Sequence, residues 1–265
     1  MKANRSFRFT HTISRTPGKS CARGLRFNGQ SDPDPDEFVA QHLTYIDVLK
    51  QAGVTPILLP ALEAFPDSVF VEDAALCIGD HSILLRPGSP TRFGEAAAIE
   101  PDLNAVFATT TVLDGDGSVD GGDILLTDDV AFIGLSERTS TAGAESLRPL
   151  LEAHHYSVEI VNTPPGVLHF KSDCSLLDSG TILATRRLAA SGCFSRYRVI
   201  EAPTGEEEAV NLIRVNDMVI MRSGFPLTEA KLSDNGYQIV TINSDEAAKL
   251  DGGLSCMSLR FNLNE

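Results

Sequence analysis

The order strand, strand, helix, strand recurs along the 265 residues at intervals of roughly 40 to 50, and a unit of that size cannot bury its own apolar face alone. Five such units, with a C-terminal strand left over to pair with the first, predict a ring of pseudo-fivefold symmetry and one α/β domain over residues 1–265. The first unit opens with the alternation Phe7, Phe9, His11 and Ile13, the period of a half-buried strand. Asp34-Pro35-Asp36 then starts a helix with Phe38, Val39, His42, Leu43, Ile46 and Leu49 on one side; Gly53 ends it, and residues 54–59 read as a buried strand. Strands over 68–78 and 82–85, a helix near 93–99 and a strand around Val106 make the second unit, and 123–127, 130–135, 142–154 and 158–160 make the third. The fourth has strands at 174–177, 181–185 and 197–200 with a short helix after Arg187. The fifth has 210–215 and 218–221 around the turn pair Asn216-Asp217, a helix at 227–233 and a strand at 237–242, before the returning strand at 255–261. A WD40-type propeller shares this period but has no helices, and an open doubly wound sheet would alternate single strands with helices instead of repeating hairpins. No glycine-rich phosphate loop and no linker rich in Pro, Gly or Ser is present.

Repetition gathers residues of equal phase around the common axis. The beginnings of the first strands hold Glu72, Asp120, His169, Asn211 and Cys256, at spacings of 48, 49, 42 and 45. A thiol, an imidazole and carboxylates drawn together in this way supply a nucleophile, an acid/base and its orienter. Taken alone, Cys256 within Leu254-Ser255-Cys256-Met257 reads as packing and His169 between Leu168 and Phe170 as a core histidine; the shared phase makes them catalytic candidates. Charge narrows the partner: 22 Lys+Arg against 36 Asp+Glu leave a net of −14, which repels nucleic acid and anionic membranes and favours a cationic small molecule. The five cysteines, an odd number without a CxxC pair, argue against a disulfide framework and a structural zinc, and place the chain in a reducing, cytoplasmic setting. Apolar stretches such as 54–62 are broken by Pro56 and Pro60 and fall short of the roughly 20 residues of a membrane span. The first thirty residues carry seven Lys/Arg and no acid, as a transit peptide would, but their period of two reads as a strand and a basic loop.

Local strings then carry a family resemblance. Phe70-Val71-Glu72-Asp73, Leu85-Arg86-Pro87-Gly88 leading to Arg92, Asp120-Gly121-Gly122-Asp123, Gly134-Leu135-Ser136-Glu137-Arg138-Thr139, His169-Phe170-Lys171-Ser172 and Gly253-Leu254-Ser255-Cys256 resemble the dimethylarginine dimethylaminohydrolases, in that family's order and over nearly the whole chain. The family belongs to the guanidine-modifying superfamily, whose fold is the pentein or α/β-propeller. Arginine deiminases share the chemistry but are longer and carry an inserted helical region that this chain lacks.

The resemblance implies hydrolysis of Nω-methylated L-arginine to citrulline and a methylamine, without cofactor or metal. It implies Cys256 as nucleophile, His169 as acid and base in turn, and Asp120 as the carboxylate bonded to that histidine. Glu72 and Asp73 resemble the guanidinium-binding pair; Asp67 would take the α-amino group, and Arg92 and Arg138 the α-carboxylate. Leu25, in the loop after the first strand, matches a lid leucine, and Leu250 and Asp251 match pocket-lining positions. Asp123 reads as structural and His154-His155 as surface. Other readings stay open: deimination of free arginine, amidino transfer, or a non-catalytic binding protein on the same ring, although a binder has no reason to keep Cys, His and three carboxylates on one axis. A homodimer is equally open.

Overall fold

The computed structural model describes residues 6–26 and 31–263, so Lys2 and Arg5 of the basic N-terminal stretch lie outside the described residues. Its elements run β1 (His11–Arg15), α1 (Pro35–Gln51), β2 (Thr55–Leu59), β3 (Ala75–Ile78), β4 (His81–Leu84), α2 (Glu95–Val106), β5 (Thr109–Val112), β6 (Ile124–Leu126), β7 (Val130–Leu135), α3 (Thr141–Ala153) and β8 (Ser157–Asn162). They continue with β9 (Cys174–Asp178), β10 (Thr181–Ala184), α4 (Arg186–Ala189), β11 (Arg198–Glu201), β12 (Ile213–Val215), β13 (Met218–Arg222), α5 (Pro226–Asp234), β14 (Gln238–Ile242), α6 (Asp245–Ala248) and β15 (Leu259–Phe261). Five three-stranded sheets result: β15-β1-β2, β3-β4-β5, β6-β7-β8, β9-β10-β11 and β12-β13-β14. In each, the first and middle strands are antiparallel and the middle and last parallel. Each parallel crossover carries its helix, and the sheet that opens the chain is completed by its C-terminal strand, His11 opposite Phe261.

Apolar burial is divided among five wedges. Ile13, Leu59, Ala75, Leu84, Ile99, Leu103 and Phe261 pack α2 between the first and second sheets. Comparable clusters seat α3 between the second and third, α4 between the third and fourth, and α5 between the fourth and fifth. The remaining cluster joins Ile213, Val215, Ile220 and Ile242 of the fifth sheet to Phe38, Tyr45, Ile46 and Leu49 of α1. Helix α1 is capped at its start by Asp34, whose carboxylate accepts from the Asp36 and Glu37 amides, and Gly53 beyond its end has φ +87°. No helix among the described residues is long and apolar enough to cross a membrane.

Several element boundaries differ from expectation for identifiable reasons. Leu43, expected on the buried side of α1, is 47 % exposed, because the buried stripe runs through Phe38, His42, Tyr45, Ile46 and Leu49 and leaves Leu43 beside it. Strand β2 is the outer strand of its sheet, so Leu58 faces outward instead of lying in a wholly buried strand. The first strand begins at His11, not Phe7: the Asn216 side chain bonds both the amide and the carbonyl of Phe9, and Phe7 is drawn into the cluster between the third and fourth sheets. Val106 ends α2, which continues through Pro101, and the strand expected there starts at Thr109. Residues 71–73 form a 3-10 turn, not strand, since the Glu72 amide donates to the Cys256 carbonyl and Arg92 takes the Phe70 carbonyl. Ser255, Cys256 and Asn211 likewise precede their strands, β15 and β12.

Candidate active site

The residues of equal phase therefore stand on the turns that lead into the first strand of each unit. Glu72 lies on the 3-10 turn Val71–Asp73, Asp120 caps the turn Gly121–Asp123, His169 caps Phe170–Ser172, and Asn211 follows Glu207–Val210. A turn exposes side chain and backbone polar groups together at the axis, which a strand paired on one side cannot do. Asp123 ties two of these turns: its carboxylate accepts the Phe170 amide at 2.8 Å and the Ser136 hydroxyl at 2.7 Å, the structural part expected of it.

His169 and Asp120 are joined by a hydrogen bond of 2.9 Å from Nε2 to Oδ2. The other Asp120 oxygen accepts the Gly88 amide at 2.6 Å, and the Asp120 amide donates to the Thr139 hydroxyl at 3.0 Å, so this carboxylate cannot turn away. Burial works to lower the His169 pKa, but the charge of Asp73, the bond to Asp120 and the charge of Asp123 together push it up to about 9. At neutral pH the ring is an imidazolium. Asp73, 4.0 Å from Nε2, moves the other way: burial opposes its charge, yet His169, Arg92 and the Gly122 amide bring its carboxyl down to about 2. One ligand atom each from Asp73, Asp120 and His169 lie within 4.8 Å of one another, a spacing that could hold a metal ion; the imidazolium proton already supplies positive charge there.

Cys256 is buried, and burial together with Glu72 and Asp73 pushes its thiol up to about 11. Donors are arranged around the sulfur: the Gly253 amide at 3.4 Å and the Asn211 side-chain amide at 3.9 Å. Gly253 permits this, since a Cβ there would stand 2.1 Å from the Asn211 Cγ.

Glu72 is the most heavily bonded group on the axis. Lys171 Nζ lies 2.5 Å and Arg260 Nη2 2.8 Å from one oxygen, and the Ser255 hydroxyl donates to the other at 3.0 Å. Sequence alone assigns no role to Lys171, Arg260 or Ser255, although Lys171 and Ser255 belong to the family-like strings, and only the repeat phase points to Asn211. Glu72, Lys171, Ser255 and Arg260 also line a cavity of about 820 Å³, with Cys77 and Arg214 among its other residues. A second, of about 490 Å³, lies beside Asn211, Asp251 and Gly253. Neither is lined by Cys256 or His169.

The residues expected to read the substrate's far end fall into two groups. Asp67 is buried and accepts the Leu25 amide at 2.9 Å; burial raises its carboxyl, against Arg92, the Leu25 amide and Arg138. Gly24, next to Leu25, lies against both Asp67 and Leu250. Asp251 is half-buried, with φ +56°. Arg138 is half-buried too, and its guanidinium makes no hydrogen bond or ion pair with the described residues. Arg92 differs from expectation: it is buried and bonded to Asp73, Glu95 and the Phe70 carbonyl, leaving most of its N–H groups already engaged.

A ring of five ββαβ units with a buried thiol, an imidazolium–carboxylate pair and an acidic floor is the arrangement of the guanidine-modifying penteins. No protein-family profile matches the chain. It is 38 % identical, over 96 % of its length and 100 % of the relative's, to the N(G),N(G)-dimethylarginine dimethylaminohydrolase of Pseudomonas aeruginosa. By that measure the chain belongs to the dimethylarginine dimethylaminohydrolase family. A crystal structure of the Pseudomonas aeruginosa enzyme, a cysteine-to-serine variant complexed with citrulline, superposes with a TM-score of 0.93, covering 96 % of this chain and 100 % of that one at 38 % identity. The N-terminal domain of a cyanobacterial arginine dihydrolase shares the fold, with a TM-score of 0.83 over 97 % of this chain and 100 % of its own at 18 % identity.

Proposed function

We propose that this protein hydrolyses Nω-methylated L-arginine to L-citrulline and dimethylamine or methylamine through a thiouronium on Cys256. The observation that carries the reading is His169 bonded to Asp120 at 2.9 Å with Asp73 4.0 Å away, which favours its protonated ring, on the same axis as the Cys256 thiol, whose ionisation Glu72 and Asp73 oppose. A guanidinium binding at Asp73 and Glu72 offsets their charge, so the thiol gives its proton to solvent when substrate arrives. The sulfur attacks the guanidinium carbon, and His169 protonates the departing dimethylamine as the carbon–nitrogen bond breaks. Neutral His169 then takes one proton from water as its oxygen adds to the same carbon. The carbon–sulfur bond breaks, the second water proton returns to the thiol, and the ureido group of citrulline leaves. The Gly253 amide and Asn211 stabilise the thiolate in both steps.

Asp67 takes the α-amino group, Arg138 the α-carboxylate with only the one unengaged Nη1 N–H of Arg92 to add, and Leu25, Leu250 and Asp251 close around the chain between. A free amino acid offers both charged ends, and a peptide-linked arginine neither. Five free thiols support a reducing, cytoplasmic setting, and a net charge of −14 supports a cationic small-molecule substrate over nucleic acid or an anionic membrane. A homodimer is to be tested by sedimentation. The deciding assay incubates the protein with arginine and its mono- and dimethylated forms and reads citrulline, ammonia and methylamines separately. Dimethylamine release is expected to exceed ammonia release from arginine, and Cys256→Ser to abolish both while a covalent adduct in the wild type maps to Cys256. Faster ammonia release would make the protein a deiminase.

A further inference from the structure

Glu95, the first residue of α2, has no assigned part in the reaction, yet it is buried and directed at the site. Both its oxygens accept from Arg92 Nε at 3.0 Å, and one takes Nη2 at 2.6 Å; neither side chain is more than 5 % exposed. Arg92 passes this constraint on. Its Nη1 reaches Asp73 at 2.5 Å and its Nη2 the Phe70 carbonyl at 2.9 Å, so one guanidinium fixes the segment 67–73 that carries Asp67, Glu72 and Asp73. One Nη1 N–H is left over.

We propose that Glu95 is a positioning residue: by holding Nε and Nη2 of Arg92 it fixes the guanidinium on one Asp73 oxygen and the 67–73 backbone, and keeps it from turning onto the Asp67 carboxylate that the substrate's amino group needs. This rests on the reading of the site as a methylarginine pocket. Without the Glu95 charge, the Nε and Nη2 N–H groups of a dry guanidinium trade a bidentate carboxylate for at most one neutral carbonyl, and the other acid at hand is Asp67, which the substrate needs. The cost falls on substrate binding and hardly on the thiol chemistry, because Glu95 touches neither Cys256 nor His169.

The test is a kinetic cycle on the full-length protein with Nω,Nω-dimethylarginine, using Glu95→Gln, Arg92→Lys and the double variant, each checked by thermal melting. Glu95→Gln is expected to raise KM about tenfold or more with kcat within about threefold, as loss of a charge-assisted bond predicts. In the Arg92→Lys background, where the fork is gone, the same substitution should change KM less than about twofold. An equal rise in KM in both backgrounds, an unchanged KM, or a fall in kcat and melting temperature without a KM effect would each overturn the proposal. Should Glu95→Gln not fold, Glu95→Asp, one methylene too short for the bidentate contact, replaces it with the same criteria. Wild-type protein that releases no methylamine refutes the functional reading instead, so the two failures are distinct.

Discussion

Substituting Asp120 by asparagine keeps the size of the side chain and removes the charge that His169 Nε2 meets at 2.9 Å. A charge-assisted hydrogen bond is worth roughly 1.5–3 kcal/mol, and about 1.4 kcal/mol corresponds to one pH unit, so the His169 midpoint should fall by roughly one to two pH units. Starting from about 9, it would arrive near 7 to 8, and not lower, because Asp73 and Asp123 still act on the ring. At pH 8 the protonated share would drop from about nine-tenths to about a quarter for a midpoint near 7.5, a loss of roughly fourfold in the acid needed for amine departure, before any loss of orientation. The assay is an imidazole titration by NMR in a Cys256→Ser background, where the thiol does not intrude. Linkage adds a second readout. A histidine whose folded pKa lies above its unfolded one stabilises the fold below about 6.5 and loses that contribution as pH rises through about 9, on the order of 3 kcal/mol here. Wild type should therefore soften between pH 7 and 10 more than Asp120→Asn. A wild-type midpoint at or below 6.5, or one that Asp120→Asn leaves in place, refutes the argument.

Alkylation of Cys256 by iodoacetamide without substrate should quicken about tenfold per pH unit from 7 to 10, since the thiol is held up to about 11; a plateau below pH 8 would contradict the opposing field of Glu72 and Asp73. His42 is buried with neither ring nitrogen bonded, and burial lowers its pKa to about 4, so stability present above about 6.5 is lost as pH falls through 4, roughly 3 kcal/mol in all. His42→Leu should remove that part of the acid sensitivity in urea melts at pH 7 and 4.5, and parallel losses in both proteins would show another group responsible. Gly253→Ala must displace Asn211, whose Cγ would lie 2.1 Å from the new Cβ, and turnover should fall at least tenfold with a melting temperature close to wild type; unchanged turnover would remove Asn211 from the sulfur's surroundings.

The repeat was legible because it is written in local signals: Asp34-Pro35 and Gly53 bound α1, Asn216-Asp217 turns β12 into β13, and alternation marks most strands. Phase alone brought Glu72, Asp120, His169, Asn211 and Cys256 to one axis. What local signals could not carry is whether a residue stands on a strand or on the turn before it, because the Cys256 carbonyl that captures the Glu72 amide comes from 184 positions along the chain. The same holds for charge partners. Lys171 comes to Glu72 from the fourth unit and Ser255 and Arg260 from the C-terminal end of the first, and Arg92 reads as a free cation until Glu95 and Asp73 are seen around it.

The first sheet takes its middle and outer strands from one end of the chain and its inner strand, β15, from the other. Cys256 sits just ahead of that inner strand, so the nucleophile is the last piece to arrive. The same segment brings the Ser255 hydroxyl, the Arg260 guanidinium and the Cys256 carbonyl that fix Glu72, so the acidic floor too is finished only when it docks. Chemical competence is thereby tied to completion of the fold: before β15 forms, neither the thiol nor the partners that fix Glu72 stand on the axis. The Thr10 amide bonded to the Phe261 carbonyl holds β1 and β15 side by side, so the closure of the ring rests on hydrogen bonds between segments some 250 residues apart in the chain.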